Sequence, residues 1–128
     1  MSRVIAITGG TGFVGRHLVA RHVALGDEVR YLTRNADGMP LPGAIRHVGN
    51  LADAEKGLQE FVRGADVLYH CAAELLDVSR MAATNEAGTR NLLRAAQAEV
   101  GRWVQLSSTG VYGLQRGGEV GEEAGLSP

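Results

Sequence analysis

Thr8-Gly9-Gly10-Thr11-Gly12-Phe13-Val14-Gly15 is the stretch that decides the fold of this chain. It follows a short apolar run, residues 4–7, and leads into a helix-like segment that extends to Leu25. Glycines spaced in this way between a strand and a helix are typical of a turn that binds a dinucleotide. Glycine permits positive φ and lets a pyrophosphate approach the backbone, where N–H groups and the positive end of the helix dipole meet its charge. A plain glycine turn is the alternative. The candidate cofactor contacts in this stretch are Gly9, Thr11, Gly12, Phe13, Val14 and Gly15.

The bulk composition of the 128 residues narrows the class of protein. The apolar fraction is 45% and the charged fraction is 21%, which suits one globular domain or part of a larger one. A net charge of −1 gives no reason to expect nucleic acid as a partner. No apolar run approaches the roughly 18 residues of a membrane span, and no signal peptide precedes the first predicted strand. The single cysteine, Cys71, suits a reducing compartment, so we expect a cytoplasmic protein without membrane contact.

Strand-like and helix-like segments alternate along the chain. Such alternation predicts an α/β fold with a doubly wound parallel sheet that helices cover on both faces. Right-handed crossovers constrain the topology. We expect the strand order 3-2-1-4-5 of nucleotide-binding sheets, in which a ligand lies at the carboxyl ends of strands 1 and 4. The predicted strands are residues 4–8, 28–33, 45–48, 66–71 and 102–107.

Helices are predicted over residues 14–25, from a cap at Asp53 to Gly64, and over residues 78–98. Residues 35–43 and 113–128 have the composition of loops. The apolar faces of the helices should pack on the sheet. They comprise Val14, Leu18 and Leu25 in the first helix, Ala54, Leu58, Phe61 and Val62 in the second, and Met81, Gly88, Leu92 and Ala95 in the third.

Three later motifs follow the glycine turn in order. They are His70-Cys71-Ala72-Ala73, N-E-A-G-T-R-N-L-L over residues 85–93, and L-S-S-T-G-V-Y-G over residues 106–113. Together with the glycine turn, these motifs resemble the extended short-chain dehydrogenases/reductases of the NAD(P)-dependent epimerase/dehydratase type, and they cover nearly the whole chain. The resemblance implies a five-stranded Rossmann sheet that forms the N-terminal half of the family fold.

The resemblance assigns cofactor contacts to the end of strand 4. In the family this strand end lines the cofactor, which implies contacts from Cys71, Ala72 and Ala73. Small side chains there let the cofactor pack against the backbone, and mere close packing is the alternative. Asn85 is also implied near the cofactor. Because asparagine has poor helix propensity, it needs a polar partner such as a backbone group, and a solvent-facing side chain is the alternative.

The resemblance also points to the serines after strand 5. In the family, the serine that matches Ser108 hydrogen-bonds the substrate oxygen and the catalytic tyrosine, so Ser108 is the expected catalytic residue. Ser107 is expected beside the cofactor. From the residues alone, two serines after a strand are equally typical of a turn.

The end of strand 2 distinguishes NAD from NADP. An acidic residue there would bond the ribose hydroxyls of NAD, but this chain has Thr33 followed by Arg34. An arginine can make bidentate contacts to a 2′-phosphate, so NADP is the expected cofactor, with NAD as the alternative. A solvated loop arginine is the non-binding interpretation. Asn50 and Leu51 stand where the family usually has Asp-Leu beside the adenine, and Asn50 can still hydrogen-bond the adenine amino group.

The acid–base pair of the family, Tyr-x-x-x-Lys, is absent from the 128 residues. In the family, the lysine lowers the tyrosine pKa and the tyrosine moves a proton to or from the substrate oxygen. The only lysine is Lys56, with Ala52 four residues before it, and Arg116 stands where Tyr112 would need a lysine. Residues 122–128 resemble the acidic loop that precedes the pair. We therefore expect residues 1–128 to be an NAD(P)-binding Rossmann domain, truncated before the pair and the C-terminal substrate-binding part.

Two classes of function follow from these observations. The first is an NAD(P)-dependent epimerase, dehydratase or reductase that acts by hydride transfer on a nucleotide sugar or a similar carbonyl or alcohol compound, as a homodimer when full length. The second is a non-catalytic NADP-binding regulatory or assembly module, as in atypical relatives. A fold without ligand affinity is a third interpretation. No metal site is expected, since His17 and His22 are wrongly spaced for one ligand face of a helix.

Overall fold

The computed structural model describes residues 2–54, 57–114 and 117–128. Within these ranges the chain forms a parallel five-stranded sheet in the order β3-β2-β1-β4-β5, which confirms the predicted fold class and strand order. Lys56 and Arg116, on which the argument about the missing pair depends, lie outside the described residues. The strands are β1 (Val4–Thr8), β2 (Glu28–Thr33), β3 (Ile45–Val48), β4 (Val67–His70) and β5 (Arg102–Gln105).

The central strand, β1, is buried on both faces. Ile5, Ala6 and Ile7 have no exposed surface. Ile5 and Ile7 pack in a cluster with Val19 of the first helix, whereas Ala6 packs in a second cluster with Leu92 of the last helix. Because successive side chains of a strand point to opposite faces, the helices cover both sides of the sheet.

The helical segments lie between the strands, as predicted. No helix in the described ranges is long and apolar enough to cross a membrane. The segments are α1 (Gly15–Ala24), α2 (Leu58–Val62), the continuous run of α3 (Val78–Met81), a π-helical turn (Ala82–Ala87) and α4 (Gly88–Ala96), and a 3-10 turn (Thr109–Tyr112) after β5.

The buried face of α1 differs from the predicted one. Val14 and Leu25, which should face the sheet, are 39% and 53% exposed. Leu18, the third predicted residue, is partly buried and packs against the core, but the fully buried residues are Gly15, Val19 and His22. The contact of Gly15 with the glycine turn sets the rotation of the helix, and residues four and seven positions later then face the sheet. The prediction of the buried face considered only apolar residues and so omitted His22. This histidine can be buried because both ring nitrogens have hydrogen-bond partners inside the protein.

The prediction for the start of α2 was also wrong. The helix begins at Leu58, and Asp53 does not cap it. Gly57 precedes the helix with a φ of +77°, and a Cβ at this position would lie 2.4 Å from the carbonyl oxygen of Val48. This left-handed residue, pressed against β3, delays the helix. The expected buried residues Leu58, Phe61 and Val62 are confirmed.

The third predicted helix is present but is not a uniform α-helix. It runs through α3, the π-helical turn and α4 to Ala96, two residues short of its predicted end. Gly88 and Leu92 are buried on the predicted face. A Cβ on Gly88 would lie 2.9 Å from Cβ of Leu51, so glycine permits the close approach of the helix to the segment after β3. β5 ends at Gln105, two residues before its predicted end.

Candidate functional site

A cleft of about 220 Å³ opens at the carboxyl ends of β1, β2 and β4. In open parallel sheets, ligands bind at this edge, where the strand order reverses. The sequence placed the glycine turn, the end of β4 and the serines after β5 at one crevice. The first two contribute to the cleft, whereas Ser107 and Ser108 do not line it and the ends of β2 and β3 contribute instead. Its lining residues are Thr8, Gly9, Thr11, Leu32, Thr33, Arg34, Gly49, Asn50, Leu51, Ala72, Ala73, Glu74 and Thr84.

The glycine turn is packed too tightly for side chains at two positions. Gly9 has a φ of +68°, and a Cβ there would lie 2.8 Å from the amide nitrogen of Ala72. A Cβ on Gly15 would lie 2.0 Å from the carbonyl oxygen of Gly9. The N–H of Gly12 donates to that same oxygen at 3.0 Å, which closes the turn.

The N-terminus of α1 follows the turn without a side-chain cap. Val14 is the N-cap residue, its side chain accepts no hydrogen bond, and the first turn of the helix contains no acidic residue. The positive end of the helix dipole is therefore not neutralised by a carboxylate of its own helix, which favours an anion such as a pyrophosphate. Phe13 is 77% exposed and its ring contacts the side chains of Arg16 and His17.

Thr8 joins the end of β1 to the end of β4. Its side chain is fully buried, and its Oγ1 accepts hydrogen bonds from the N–H groups of Cys71 at 3.0 Å and Ala72 at 3.1 Å. With both lone pairs used, the hydroxyl donates its proton to Nδ1 of His70 at 2.6 Å. The ring proton of His70 then lies on Nε2, which donates to Oγ1 of Thr89 at 2.8 Å. From the sequence, His70 could be either a structural histidine or a residue of the pocket. The structure shows a buried residue that does not line the cleft and whose hydrogen bonds support it from beneath.

The state of His70 predicts a pH dependence of stability. Burial lowers the pKa of His70 from 6.5 to about 4, so the folded protein keeps the ring neutral where the unfolded chain protonates it. Stability is then complete above about pH 6.5 and is lost as the pH falls towards 4, by about 3 kcal/mol in the free energy of unfolding. Urea titrations at pH 7 and pH 4.5 check this. His70→Asn should show a smaller loss between these values than the wild type, and an equal loss would contradict the assignment.

A second wall of the cleft comes from the ends of β2 and β3. The N–H of Gly49 donates to the carbonyl oxygen of Thr33 at 2.9 Å, and Asn91 Nδ2 donates to the carbonyl oxygen of Leu51 at 2.9 Å. Asn50 Oδ1 accepts from the N–H of Ala52 at 3.0 Å. Leu51 is 7% exposed and packs into the core, so this wall is a fixed surface. These bonds hold the wall in shape without contributions from a ligand.

Arg34 stands at the rim of this wall. It lines the cleft, is exposed, and forms no ion pair with any carboxylate of the described residues. Its guanidinium is therefore not neutralised by an acidic side chain in this part of the chain. Such a group suits an anionic partner.

The far end of the cleft is fixed by Asn85. Asn85 lies in the π-helical turn, and its side chain accepts from the N–H of Glu74 at 2.7 Å and donates to the carbonyl oxygen of Glu74 at 2.9 Å. The polar partner that the sequence required of Asn85 is thus a backbone group. The Glu74 carboxylate accepts from the N–H groups of Asp77 and Leu76, and these bonds lower its pKa. Glu74 therefore presents a negative charge at this end of the cleft.

Several predicted site residues lie outside the lining of the cleft. Ser108 Oγ accepts from the N–H of Gly110 at 3.0 Å and caps the 3-10 turn, which matches the turn interpretation of these serines. Ser107 is exposed just before it. Cys71 is half-buried, and burial raises the pKa of its thiol. The others are Gly12, Phe13, Val14 and Gly15 of the glycine turn and Asn85.

Five lining residues were not predicted as cofactor contacts. Thr8 is the first residue of the glycine stretch, and its position at the carboxyl end of β1 could have indicated that it lines the cleft. Leu32 and Gly49 directly precede predicted contacts, so their neighbours were a signal as well. Glu74 follows the predicted contact Ala73 and Thr84 precedes the predicted contact Asn85, so the same signal was present for both. That they line one cleft depends on the packing of the π-helical turn against the segment after β4. No cluster of His, Cys, Asp and Glu in residues 2–54, 57–114 and 117–128 could hold a metal ion.

The family model described as the NAD dependent epimerase/dehydratase family matches residues 5–127. The chain belongs to this family. The resemblance carried by the four motifs is thereby confirmed. The match spans the glycine turn, both walls of the cleft and the segment after β5.

Three individual proteins resemble this chain at identities of 28% to 35%. Sterol demethylase protein B of Methylococcus capsulatus is 35% identical over 136 residues, which are 95% of this chain and 39% of that protein. A short-chain dehydrogenase/reductase superfamily protein from Agrobacterium tumefaciens, solved with bound NAD, is 34% identical with a TM-score of 0.82, over 98% of this chain and 39% of that one. MoeE5, solved with UDP-glucose and NAD, is 28% identical with a TM-score of 0.83, over 99% of this chain and 43% of that one.

The chain is much shorter than these relatives. It spans between 32% and 39% of the length of three curated relatives that it matches. The family match gives this chain its family and its cofactor class, NAD(P). Because the chain is only part of the length of its relatives, the activity of the whole protein is a proposal.

Proposed function

We propose that this chain is the cofactor-binding domain of an oxidoreductase that transfers a hydride between NADP(H) and a carbonyl or alcohol substrate. The observation that carries the proposal is the cleft itself, whose lining combines residues of the glycine turn with Arg34. When bound, the dinucleotide supplies the hydride chemistry. The residues of this chain hold and orient it: Gly9 and Gly15 permit the tight turn that brings the pyrophosphate to the N-terminus of α1, and Asn50 and Leu51 form the adenine wall.

Arg34 favours NADP over NAD in this proposal. The 2′-phosphate is the group that distinguishes the two cofactors, and a guanidinium can bind it with two parallel hydrogen bonds. Thr33 adds no negative charge that would repel the phosphate. The relatives solved with NAD keep NAD as the alternative.

The substrate proposed here is a secondary alcohol or the corresponding ketone. Support comes from two relatives with different chemistry, since one carries a sterol in its name and the other holds UDP-glucose. A nucleotide sugar is one member of this class. We further propose that Ser108 hydrogen-bonds the substrate oxygen and that the complete enzyme is a homodimer.

The proton transfer requires groups that these 128 residues do not contain. The sequence has no Tyr-x-x-x-Lys, and the relatives are more than twice as long as the matched region. We propose that the acid–base pair lies in residues beyond the given sequence. The alternative, a non-catalytic NADP-binding module, is supported by the same absence. A complete protein that binds NADPH without ever oxidising it in the presence of ketones would favour this alternative.

Replacement of Arg34 tests the choice of cofactor. In the wild type, NADPH should bind more tightly than NADH in a fluorescence titration. Arg34→Ala should weaken NADPH about 10- to 100-fold, since charge-assisted hydrogen bonds contribute about 1.5–3 kcal/mol, and should leave NADH nearly unchanged. Arg94→Ala removes the same charge from an exposed position on α4 and should change neither affinity. Tighter NADH binding by the wild type, or an equal loss for both cofactors, would overturn the NADP proposal.

A further inference from the structure

The loop between β2 and β3 carries Arg34 and has no regular structure of its own. It comprises residues 34–44, and its conformation has to come from contacts with neighbouring elements. Such loops are usually among the more mobile parts of a protein. A side chain on a mobile loop loses conformational freedom when it binds a ligand, which weakens its contribution to affinity. Whatever orders this loop therefore influences how well Arg34 binds an anion.

Arg46 of β3 holds this loop from outside the cleft. Its Nη1 donates to the carbonyl oxygen of Ala36 and its Nη2 to that of Gly38. Its Nε donates to the hydroxyl of Tyr31 at 3.1 Å. The hydroxyl of Tyr31 in turn accepts from the N–H of Leu41 at 3.2 Å. The two side chains thus fix the loop at three positions.

The Tyr31–Arg46 pair has a rigid base. The two residues are partners in the β2–β3 register, and the tyrosine is 1% exposed. The bonds of Arg46 use the planar fork of the guanidinium in three directions at once. A lysine has the same charge but offers one nitrogen at the end of a flexible chain, so it cannot reach all three acceptors.

We call the Tyr31–Arg46 pair, with its bonds to the loop, the clamp. The short stretch between the clamped positions and Arg34 is also fixed. The N–H of Asn35 donates to Oγ1 of Thr33 at 3.1 Å. The side chain of Asn35 accepts from the N–H of Asp37 at 2.8 Å. Hydrogen bonds therefore hold the backbone on both sides of Asn35. The order that Arg46 imposes at Ala36 and Gly38 is in this way passed along the backbone to Arg34.

We propose that Arg46 is a positioning residue that gives the cleft its preference for a 2′-phosphorylated dinucleotide. It does not line the cleft and acts through Arg34, whose backbone it keeps in the place required for the phosphate contact. This inference rests on the proposed role of Arg34. NADH lacks the 2′-phosphate, does not use Arg34, and should be indifferent to the clamp.

The test measures the dissociation constants of NADPH and NADH for the complete protein and its Arg46→Lys variant. The variant keeps the positive charge and loses the planar guanidinium. We therefore expect the affinity for NADPH to fall about 10-fold and the affinity for NADH to change less than about threefold. Arg30→Lys is the matched control. Arg30 also lies in the sheet and donates to three carbonyl oxygens, those of Glu60, Phe61 and Arg63, but these belong to the α2 region away from the loop. This control should leave the ratio of the two constants unchanged.

A second variant and a double variant make the outcome decisive. Tyr31→Phe keeps the buried ring and removes only the hydroxyl, so it should shift the ratio in the same direction even if Arg46→Lys does not fold. Arg34→Ala combined with Arg46→Lys should be no worse than Arg34→Ala alone, because the clamp acts through Arg34. If Arg34→Ala shifts the ratio but neither clamp variant does, the inference about Arg46 is wrong and the proposed function stands. If Arg34→Ala itself leaves the ratio unchanged, the proposed function fails first.

Discussion

Gly15→Ala is expected to reduce dinucleotide affinity by about 100-fold or more, which corresponds to about 3 kcal/mol. The new Cβ would lie 2.0 Å from the carbonyl oxygen of Gly9 and 3.0 Å from Cα of Gly10. Both atoms belong to the backbone, so no side-chain rotation relieves the contact and the turn itself has to open. An open turn moves the N-terminus of α1 away from the position of the pyrophosphate. Isothermal titration with NADPH measures the loss.

The matched control for this prediction is Gly125→Ala. A Cβ at Gly125 meets nothing within 4 Å, and the residue lies in the C-terminal loop. Its affinity should equal that of the wild type. Circular dichroism separates loss of the site from loss of the fold, because the sheet should persist in Gly15→Ala at low temperature. If Gly15→Ala binds NADPH within threefold of the wild type, the glycine turn does not form the pyrophosphate site.

Thr8→Val should lower the free energy of unfolding by about 2–4 kcal/mol, since each buried polar group left without a partner costs about 1–3 kcal/mol. Valine has nearly the same shape, so packing is retained and only the hydroxyl is lost. Cys71 keeps its bond to the carbonyl oxygen of Thr8 at 3.3 Å, but the N–H of Ala72 and Nδ1 of His70 lose their bonds to Oγ1. Because Ala72 lines the cleft, dinucleotide affinity should fall together with stability.

Thr8→Ser separates the hydroxyl from the methyl group. Serine keeps all three hydrogen bonds and loses one buried carbon, so it should cost only about 1 kcal/mol. Urea titrations with unchanged m-values give both numbers. A valine variant as stable as the serine variant would show that the hydroxyl does not tie β1 to β4.

The sheet and half of the cleft could be predicted because they depend on short-range patterns. The positive φ of Gly9 and the contact of Gly15 with Gly9 are set within the turn itself, and buried parallel strands are apolar throughout. The residues Gly9, Thr11, Thr33, Arg34, Asn50, Leu51, Ala72 and Ala73 were predicted as contacts and line one cleft. They do so because the carboxyl ends of neighbouring parallel strands lie at one edge of the sheet.

The errors arose where distant residues decide the local structure. The face of α1 depends on how Gly15 meets Gly9, and His22 is buried because its Nδ1 bonds Asp27 at 2.8 Å and its Nε2 meets the hydroxyl of Tyr69 at 3.0 Å. Partners 5 and 47 residues away cannot be inferred from helical periodicity. The late start of α2 has the same origin, since Gly57 presses against the carbonyl oxygen of Val48.

The sequence by itself determined the fold class, the strand order and the position of the glycine turn. Apolar periodicity and glycine chemistry act over a few residues, and the chain records them directly. Only the tertiary structure decided what holds the cleft in shape: Thr8 and His70 beneath it, Asn85 at one end, and the Tyr31–Arg46 pair behind Arg34. These are hydrogen bonds between polar groups brought together by packing. Their geometry depends on where several elements meet, and no single segment of sequence specifies it.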